Sequence, residues 1–421
     1  MKSERNWGLL DMRSNLDTKP LSKLAYIQTG PFGSQLHKED YVQVGTPIVT
    51  VEHLGSRKFS EQNLPCVSDS DKERLNKYVL HEGDIVFSRV GSVDRCSYVS
   101  RDYSGWMFSG RCLRIKPLDE IDPEYLYYFF TLESTKQFIR GIATGATMPS
   151  INTKFMGEVP VSYPSLSTQR KIAGILRAID DKIELNDDIN NNLEQQAKAL
   201  FKSWFVDFEP FGGDQPSEMR FVPLQELCKV VTKGTTPTTL GKPFISSGIN
   251  FLKVESILDN HSIDSSKFAY IDEETNTILK RSIIEANDIV FTIAGTLGRF
   301  ALVDDSILPA NTNQAVAIIR PDISKVSPSY LYSFFIGNWH NDYYAKRVQQ
   351  AVQANLSLTT IKSLPIIVAN KDTMCKYDEL VRPLFALMKS NEAENRRLSN
   401  PRDTLLPKLM SGELDVTEID R

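Results

Sequence analysis

The stretch DIVFSRVGSVDR, residues Asp84–Arg95, returns 204 residues later as DIVFTIAGTLGR, residues Asp288–Arg299. Other stretches recur at nearly the same distance: PLSKL with PLQEL, DPEYLYYFF with SPSYLYSFF, and GEVPV with KSLPI. The chain is therefore a tandem duplication. Two long copies do not make a solenoid, whose repeats are shorter and more numerous.

The first part of each copy has short β-branched and aromatic runs separated by turn residues, as in TPIVTVEHL and CLRIKP. Such runs predict strands. One helix is predicted within this part. Asp122-Pro123 and Ser327-Pro328 each combine an N-cap residue with proline at the first helical position. Each first part is therefore predicted to be a mixed α/β domain with one helix packed on a sheet.

The second part of each copy predicts a long helix. In the first copy, positions from Ile172 to Trp204 step by four and three residues, and in the second copy positions from Tyr377 to Leu409 do the same. This spacing is typical of a heptad seam. Three prolines interrupt the second seam. Since an interior proline removes a hydrogen bond, the second helix is expected to be less continuous than the first; the prolines are Pro383, Pro401 and Pro407.

Two asparagines occupy the middle of each seam. Two isolated apolar seams would be unstable, so the simplest arrangement packs the helices on each other, and an antiparallel coiled coil matches asparagine with asparagine. The alternative is that the asparagines are exposed where the helices separate. The antiparallel register predicts four facing pairs: Asn186 with Asn395, Asn190 with Asn391, Leu193 with Met388, and Ile183 with Leu398.

The predicted fold class is α+β: a tandem duplication of a mixed α/β domain followed by a long helix, with the two helices packed as an antiparallel coiled coil. The predicted boundaries are a first domain at 1–166, a first helical segment at 167–210, a linker at 211–218, a second domain at 219–370, and a second helical segment with a tail at 371–421. The Gly-Gly pair at Gly212 and Gly213 marks the linker.

Composition narrows the class of protein. The formal net charge is −4, and the five cysteines are scattered, with no C-x-x-C pair. Neither a disulfide framework nor a zinc site is indicated, and a reducing cytoplasm is the expected compartment. The first residues do not resemble a secretory signal, so none is expected, and no apolar run approaches the length of a membrane span. The charge alone argues against nucleic-acid binding, although a near-neutral domain can still present a basic face.

Catalytic motifs are absent from the sequence. GTTPTTLGKP, residues Gly234–Pro243, resembles a phosphate loop only superficially, because six residues separate its glycines and proline replaces the magnesium-binding Ser or Thr. No H-E-x-x-H occurs, and the five histidines never stand at metal-binding spacing. The polar loops are therefore predicted to bind a partner, with no catalytic residue and no metal site.

The two copies agree in their strands and differ in the polar loops between them. TGPFGSQLHKED corresponds to TKGTTPTTLGKP, SRVGS to TIAGT, FSGRC to NTNQA, and TGATMPSIN to VQQAVQANLS. Arginine, asparagine and glutamine side chains can pair with base edges, so a duplicated framework with divergent polar loops suits two readers of two different targets. The alternative is ordinary solvated loops. The candidate DNA-binding residues are Ser34, Gln35, Lys38, Arg89, Ser92, Arg95, Thr147, Ser150, Lys233, Thr235, Thr236, Thr239, Lys242, Thr292, Thr296, Arg299, Asn313, Gln350 and Gln353.

Three stretches carry a family resemblance: LNDDINNNLEQQAKALFKSWFVDFEPF, LLPKLMSGELDV and TGPFGSQLHKEDY. With them, the chain resembles the specificity subunit of type I restriction-modification systems over essentially its whole length. The resemblance implies two target recognition domains, each reading one half of a bipartite, asymmetric DNA site. The helices would set the unread gap and dock two methyltransferase subunits, and restriction-motor subunits would join them. S-adenosylmethionine, ATP and magnesium would belong to those partners, so the chain itself would not be an enzyme.

Within this reading, three arginines receive roles. Arg89 is predicted to read a base, and Arg95 and Arg299 to hold the DNA backbone. An intradomain salt bridge is the alternative for Arg89. The aromatic run FKSWFVDF offers Trp204, Phe205 and Phe208 either as packing beneath the adjacent domain or as an exposed anchor for a methyltransferase subunit.

Two rival functions remain open. The first is a cytoplasmic protein–protein scaffold with duplicated binding domains and no role in DNA binding. The second is a fused restriction enzyme, which would need nuclease or methylase motifs that the sequence lacks.

Overall fold

The computed structural model describes residues 16–31, 33, 35–145, 147–341, 343 and 355–416. The chain forms two units. The first holds the residues up to Glu184 together with those from Asn395 onward, and the second holds Leu185–Glu394. Each long helix therefore contributes one part to each unit.

The first unit is built on a four-stranded antiparallel sheet of β2, β9, β6 and β7, in that order. A second sheet has the order β3-β5-β4-β8, in which β4 and β8 are parallel. A two-stranded ribbon joins β1 to β10. The strands are β1 (Asp17–Pro20), β2 (Ala25–Thr29), β3 (Tyr41–Val42), β4 (Thr46–Val49), β5 (Cys66–Val67), β6 (Ile85–Ser88), β7 (Cys96–Tyr98), β8 (Met107–Phe108), β9 (Cys112–Pro117) and β10 (Pro160–Tyr163).

The second unit repeats this plan. Its antiparallel sheet has the order β12-β18-β15-β16, which matches β2-β9-β6-β7 strand for strand. A three-stranded sheet has the order β14-β13-β17, and a ribbon joins β11 to β19. The strands are β11 (Arg220–Pro223), β12 (Cys228–Lys233), β13 (Ile249–Leu252), β14 (Ala269–Ile271), β15 (Ile289–Thr292), β16 (Phe300–Leu302), β17 (Ala310–Thr312), β18 (Val316–Pro321) and β19 (Pro365–Val368).

The helices outnumber the prediction of one in each domain. The helix predicted at DPEYLYYFF is present, and the Asp122 carboxylate accepts a hydrogen bond from the Tyr125 N–H; at SPSYLYSFF the Ser327 hydroxyl accepts one from the Tyr330 N–H. The α-helices are α1 (Asp69–Arg74), α2 (Pro123–Thr131), α3 (Glu133–Ile142), α4 (Thr153–Gly157), α5 (Leu166–Phe205), α6 (Glu273–Ile278), α7 (Pro328–Ile336), α8 (Leu358–Lys362) and α9 (Lys371–Met410).

The two repeat strands from which the duplication was recognised lie at the centre of their units. Every residue of β6 and β15 is buried. The aspartate that precedes each strand is buried too, and it faces an arginine of the neighbouring strand: Asp84 lies 3.7 Å from Arg114, and Asp288 lies 2.8 Å from Arg320. Burial raises the pKa of both carboxyls against the pull of the arginines. The leading aspartate of the repeated motif is therefore a structural anchor.

The expectation that the second helix is less continuous than the first is wrong. Helix α9 has 40 residues, as does α5, and it runs through all three prolines. Pro383, Pro401 and Pro407 all lie on its exposed side, as do the residues four positions earlier, at 379, 397 and 403. The carbonyl groups that lose an N–H partner therefore face water, which can replace the missing hydrogen bond. Buried side chains on the opposite face, such as Val381 and Leu409, hold the helix to the core.

Side-chain hydrogen bonds in the second unit show how the asparagines of α5 and α9 are aligned. The Asn391 amide donates to the Asn190 side-chain oxygen at 2.8 Å, and the Asn190 amide donates to the Met388 carbonyl. Asn186 donates to Glu394. Residues with higher numbers on α5 bond to residues with lower numbers on α9, so the two helices run antiparallel here. The predicted Asn190–Asn391 pair is confirmed. These asparagines are buried, and the alternative of exposed asparagines is wrong for Asn186, Asn190 and Asn391.

The other predicted facing pairs have different outcomes. Leu193 and Met388 are both buried in the same apolar core. Ile183 and Leu398 are both half-buried in the first unit. The pairing of Asn186 with Asn395 stays a prediction, since the hydrogen bond of Asn186 goes to the preceding residue, Glu394.

Candidate nucleic-acid interface

The strand order of the first unit gathers its polar loops at one edge of the sheet. Strands β2 and β6 end at this edge, and the antiparallel strands β9 and β7 begin there. The loops that follow Thr29 and Ser88, and the loop that precedes Cys112, must therefore meet, although the sequence separates them widely.

Backbone hydrogen bonds join these loops. The Arg89 N–H donates to the Arg111 carbonyl at 2.8 Å, and the Gly91 N–H donates to the Pro149 carbonyl at 2.8 Å. The Ile151 N–H donates to the Arg89 carbonyl, and Gly30 donates to the Cys112 carbonyl. The four loops predicted to read DNA in the first domain thus form one surface, which we call edge 1: residues 30, 31, 33, 35, 36, 89–95, 109–111, 144, 145 and 147–151.

The second unit builds the same edge from different side chains. Gly234 donates to the Asn313 carbonyl at 3.0 Å, Ile293 donates to the Ala315 carbonyl at 2.8 Å, and Leu356 donates to the Ile293 carbonyl at 2.9 Å. We call this surface edge 2: residues 234–242, 293–299, 313–315 and 355–357. Edge 1 and edge 2 are formed by equivalent strand ends, so the duplication preserves the framework of the surface while its side chains differ.

A glycine stands at the same place in each edge because two backbones approach closely there. A Cβ atom added to Gly30 would lie 2.1 Å from the Ser109 carbonyl oxygen, and one added to Gly234 would lie 1.8 Å from the Thr312 carbonyl oxygen. Neither distance is compatible with any side chain. The two glycines therefore hold the loop after β2 or β12 against the loop before β9 or β18.

Edge 1 presents several of the predicted residues to solvent. Arg95, Ser92 and Thr147 are exposed, whereas Arg89, Gln35 and Ser150 are half-buried. Arg89 donates to the Gly110 carbonyl at 3.3 Å. Among the residues that the structure describes, no hydrogen bond or ion pair holds the guanidinium of Arg95, which lies beside Gly55. Arg95 is therefore the more available of the two arginines.

The equivalent arginine of edge 2, Arg299, is held by a salt bridge within its own domain. Arg299 makes a two-point salt bridge to Asp259, at 2.6 and 2.7 Å. Asp259 lies in the loop equivalent to Gly55–Lys58, and that loop of the first domain contains no carboxylate. For Arg299, the structure thus shows an intradomain salt bridge where a contact to the DNA backbone was predicted, and that contact stays a prediction with a competing partner.

Other predicted residues of edge 2 are also engaged within the domain. Thr292 is fully buried, and its hydroxyl binds the backbone of Arg299, so a DNA contact for Thr292 is wrong. Lys242 forms a 2.7 Å ion pair with Glu274. The side-chain oxygen of Asn313 accepts from the Ala315 N–H at 3.0 Å. Lys233, Thr239 and Thr296 are exposed, and Thr235 and Thr236 are half-buried.

Some predicted positions cannot be placed. Ser34, Gln350 and Gln353 lie outside the described residues, and so does the side chain of Lys38. One residue of edge 1 was missed by the sequence reasoning: Arg111 is exposed, and its carbonyl accepts from Arg89. The signal for it was present in FSGRC, since this stretch was recognised as divergent between the copies but yielded no candidate.

The aromatic run near the end of α5 packs inside the second unit. Phe205 is only 3% exposed, and its ring lies 5.1 Å from that of Tyr330 and 4.9 Å from that of Tyr377. An exposed docking role for Phe205 is therefore wrong, because the side chain belongs to the core. Trp204 and Phe208 are half-buried against the same core.

The described residues contain neither a metal-binding cluster nor a membrane-spanning helix. No group of three or more His, Cys, Asp or Glu among them is arranged to hold a metal ion. None of the described helices combines the length and the apolar character that a membrane span requires.

Comparison with known proteins identifies the family. The model for the type I restriction modification DNA specificity domain matches the chain twice, at residues 14–195 and 216–398. The chain belongs to this family. The two matches coincide with the two copies of the duplication, so the DNA specificity domain is the unit that was duplicated, and DNA sequence recognition in a type I restriction-modification system is its role.

Relatives of this DNA specificity family agree. The MjaIX specificity subunit of Methanocaldococcus jannaschii is 30% identical over 320 residues, with 72% of each chain covered. The HindI specificity subunit of Haemophilus influenzae is 26% identical over 437 residues, covering 85% of this chain and 92% of the other. The crystal structure of the type I S subunit from M. genitalium has a TM-score of 0.57 at 18% identity, covering 95% of this chain and 97% of that one. That structure is similar in fold.

Proposed function

We propose that this chain is the non-catalytic DNA-reading subunit of a type I restriction-modification complex, in which each recognition domain reads one half of a bipartite, asymmetric site. One observation carries the proposal. Edge 1 and edge 2 are the same sheet edge built twice, and they present different polar side chains. Base-specific reading depends on such side chains, so two different edges suit two different half-sites.

Helices α5 and α9 are long and pair antiparallel in the second unit, as a spacer of fixed length requires. A helix of 40 residues extends about 60 Å. The buried Asn190–Asn391 pair opposes slippage, because a shifted register would leave two amides without partners in an apolar seam. We propose that this register sets the unread gap, and that exposed parts of the helices dock two methyltransferase subunits.

The remaining chemistry is assigned to partners. Methyltransferase subunits would bring S-adenosylmethionine, and restriction subunits would bring ATP and magnesium. These partners would also supply phosphate contacts that a chain of net charge −4 provides sparingly. A cytoplasmic location follows from this assignment, because the complex must reach chromosomal DNA.

The decisive experiment is methylome sequencing of a host that expresses this chain with its methyltransferase partner. The expected result is methylation at one bipartite, asymmetric sequence. A second chain, in which edge 1 loops replace edge 2 loops, should methylate a site whose two halves are equivalent. Sequence-independent methylation by the complex would contradict the assignment of specificity to these edges, and a complex that binds no DNA would favour the scaffold function.

A further inference from the structure

Residues 184 and 389 occupy the same position in the repeat but carry opposite charges. The offset of 205 residues that aligns Asn186 with Asn391 also aligns Glu184 on α5 with Lys389 on α9. Each lies where its long helix contacts a recognition domain of its own unit. The reversal of sign at one position of an otherwise equivalent helix raises the question of what each charge faces.

In the first unit, Glu184 faces two cations of the recognition domain. The Arg57 guanidinium lies 3.4 Å from the Glu184 carboxylate, and the Lys58 ammonium lies 3.6 Å from it. Arg57 also donates to Asp181, one turn earlier on the same helix. The side chains of Arg57 and Glu184 are only 17% and 23% exposed, so water screens this pair less than a surface pair.

In the second unit, Lys389 faces two anions of the recognition domain. Its ammonium lies 2.6 Å from the Asp304 carboxylate and 3.7 Å from that of Asp305. The other oxygen of Asp304 accepts from the Ser306 N–H at 2.8 Å, which fixes the carboxylate in its turn. The Asp304 side chain is 17% exposed, so one member of this pair is shielded as well.

The domains have changed together with their helices. The loop equivalent to Gly55–Lys58 is Leu258–Ser262 in the second domain, which is one residue longer and contains neither lysine nor arginine. At the positions of Asp304 and Asp305, the first domain carries a serine and an arginine, at 100 and 101. Either domain set against the helix position of the other would therefore oppose like charges, and such repulsion is a common source of pairing specificity.

We propose that Glu184 and Lys389 are positioning residues: opposite charges at one repeat position hold each recognition domain on the long helix of its own unit, and so fix where its edge lies along that helix. We call these two sets of contacts the seats. In the first unit Arg57 and Lys58 face Glu184, and in the second unit Asp304 and Asp305 face Lys389. This inference extends the proposed function, because the spacing of the edges corresponds to the gap between the half-sites. The seating itself is a property of the free chain and can be measured without DNA.

Charge reversal followed by charge restoration tests the seat. In the full-length chain, Glu184→Lys should accelerate amide hydrogen exchange in the loop around Arg57 by roughly 5- to 30-fold, the factor that corresponds to one or two kcal/mol. Restoring complementarity with Arg57→Glu and Lys58→Glu in the same chain should recover slow exchange. Lys389→Glu and its partner changes Asp304→Lys and Asp305→Lys provide the matching cycle in the second unit.

Controls separate seating from a general effect of charge. Gln195→Lys on α5 and Glu379→Lys on α9 change the charge at exposed positions and should leave exchange in both domains unchanged. Restored variants that stay as fast as the single reversals, or controls as fast as Glu184→Lys, would overturn the proposal. If Glu184→Lys prevents folding, the Lys389 cycle still decides it.

A second readout connects the seat to recognition. In the complex with methyltransferase, Glu184→Lys should broaden the range of gap lengths that are methylated, and the restored variant should narrow it again. An unchanged gap distribution in Glu184→Lys would overturn the link to spacing. If neither the unmodified chain nor any variant recognised a bipartite site, the proposed function would be contradicted. The hydrogen-exchange measurements would still test the contacts of Glu184 and Lys389, because they need no DNA.

Discussion

The two units solve the same packing problem with different chemistry. In the first unit, the Tyr128 hydroxyl and the Arg402 guanidinium both donate to Asp180, each at 2.8 Å, where α2, α5 and α9 meet. The repeat equivalents in the second unit are Ser333, Phe385 and Ala197. Phe385 is buried there, and its ring lies 5.1 Å from that of Tyr332.

This difference shows that the duplicated framework does not require a particular interaction at its helix junction. A buried ion pair incurs a desolvation cost that its attraction only partly offsets, whereas an aromatic ring in the same place gains from burial without that cost. The charged junction is therefore more easily broken by removing one member than by replacing the whole set. Arg402, a charged residue at a seam position of α9, is the partner of Asp180 in this packing.

The largest effect is expected from removing Asp180. Asp180→Ala leaves the Arg402 charge and the Tyr128 hydroxyl without their shared acceptor, and should lower the free energy of unfolding by about 3–4 kcal/mol. Chemical denaturation measures it. Replacing the set by its equivalents, Tyr128→Ser with Asp180→Phe and Arg402→Ala, should recover much of this loss.

The control for this comparison is Asn191→Ala, an exposed change on the same helix, which should have little effect. If Asp180→Ala were as mild as the control, the charged junction would contribute no stability. If the triple replacement were the most damaging variant, the two junctions would not be interchangeable.

Acid should weaken the second unit through its histidines. Burial lowers the pKa of His261 to about 4 and that of His340 to about 3. In the unfolded chain both titrate near 6.5, so the unfolded state binds more protons as pH falls. The stability that depends on these neutral histidines is therefore fully present above about pH 6.5, and it is lost as pH falls towards 4. Denaturation at a series of pH values should show this slope.

His261→Asn isolates one contribution to the acid effect. The backbone of His261 has a φ of 63°, which asparagine tolerates better than most residues. This variant should reduce the slope between pH 6.5 and 4. The equivalent loop of the first unit, Gly55–Lys58, contains no histidine, so hydrogen exchange should locate the acid effect in the second unit. An equal slope in both units would argue against the histidines as its source.

The asparagine pair should give a smaller effect that depends on both partners. Asn190→Ala leaves the Asn391 amide unpaired in a buried seam, with an expected loss of about 1–3 kcal/mol. Changing both to leucine should recover stability and permit slipped registers. Cysteines at 190 and 391 should cross-link under oxidation, whereas a 190 and 384 pair, two turns away, should not. Preferential cross-linking of the second pair would contradict the register.

The smallest effect compares the two equivalent arginines. Arg95→Ala should weaken DNA binding for all sequences and reduce the salt slope by about 1, as expected for a lost phosphate contact. Arg299→Ala should change DNA binding less, since Asp259 already neutralises that guanidinium. Salt titrations of binding by the methyltransferase complex measure both. A larger loss for Arg299→Ala would show that its salt bridge opens on DNA.

The sequence by itself determined the duplication, the strands at DIVF, the capped helix starts, the two long helices and the pairing of Asn190 with Asn391. These features are local or periodic, and their signals lie in residue spacing and side-chain type. The family, too, was recognisable from three stretches. The divergence of the polar loops gave the candidate surface, because loops that differ within a conserved framework are visible from the two copies alone.

Only the tertiary structure decided which side chains are available at the surface. Thr292 and Phe205 were chosen by residue type, but strand β15 buries one, and the core beneath Tyr330 buries the other. The three prolines were expected to break α9, yet their exposed face lets water replace the lost hydrogen bonds. Arg95 and Arg299 look alike in sequence, but they differ in the part of the chain that the structure describes. Arg299 is held by Asp259, which is distant in sequence and near only after folding, whereas Arg95 has no hydrogen-bond or ion-pair partner there.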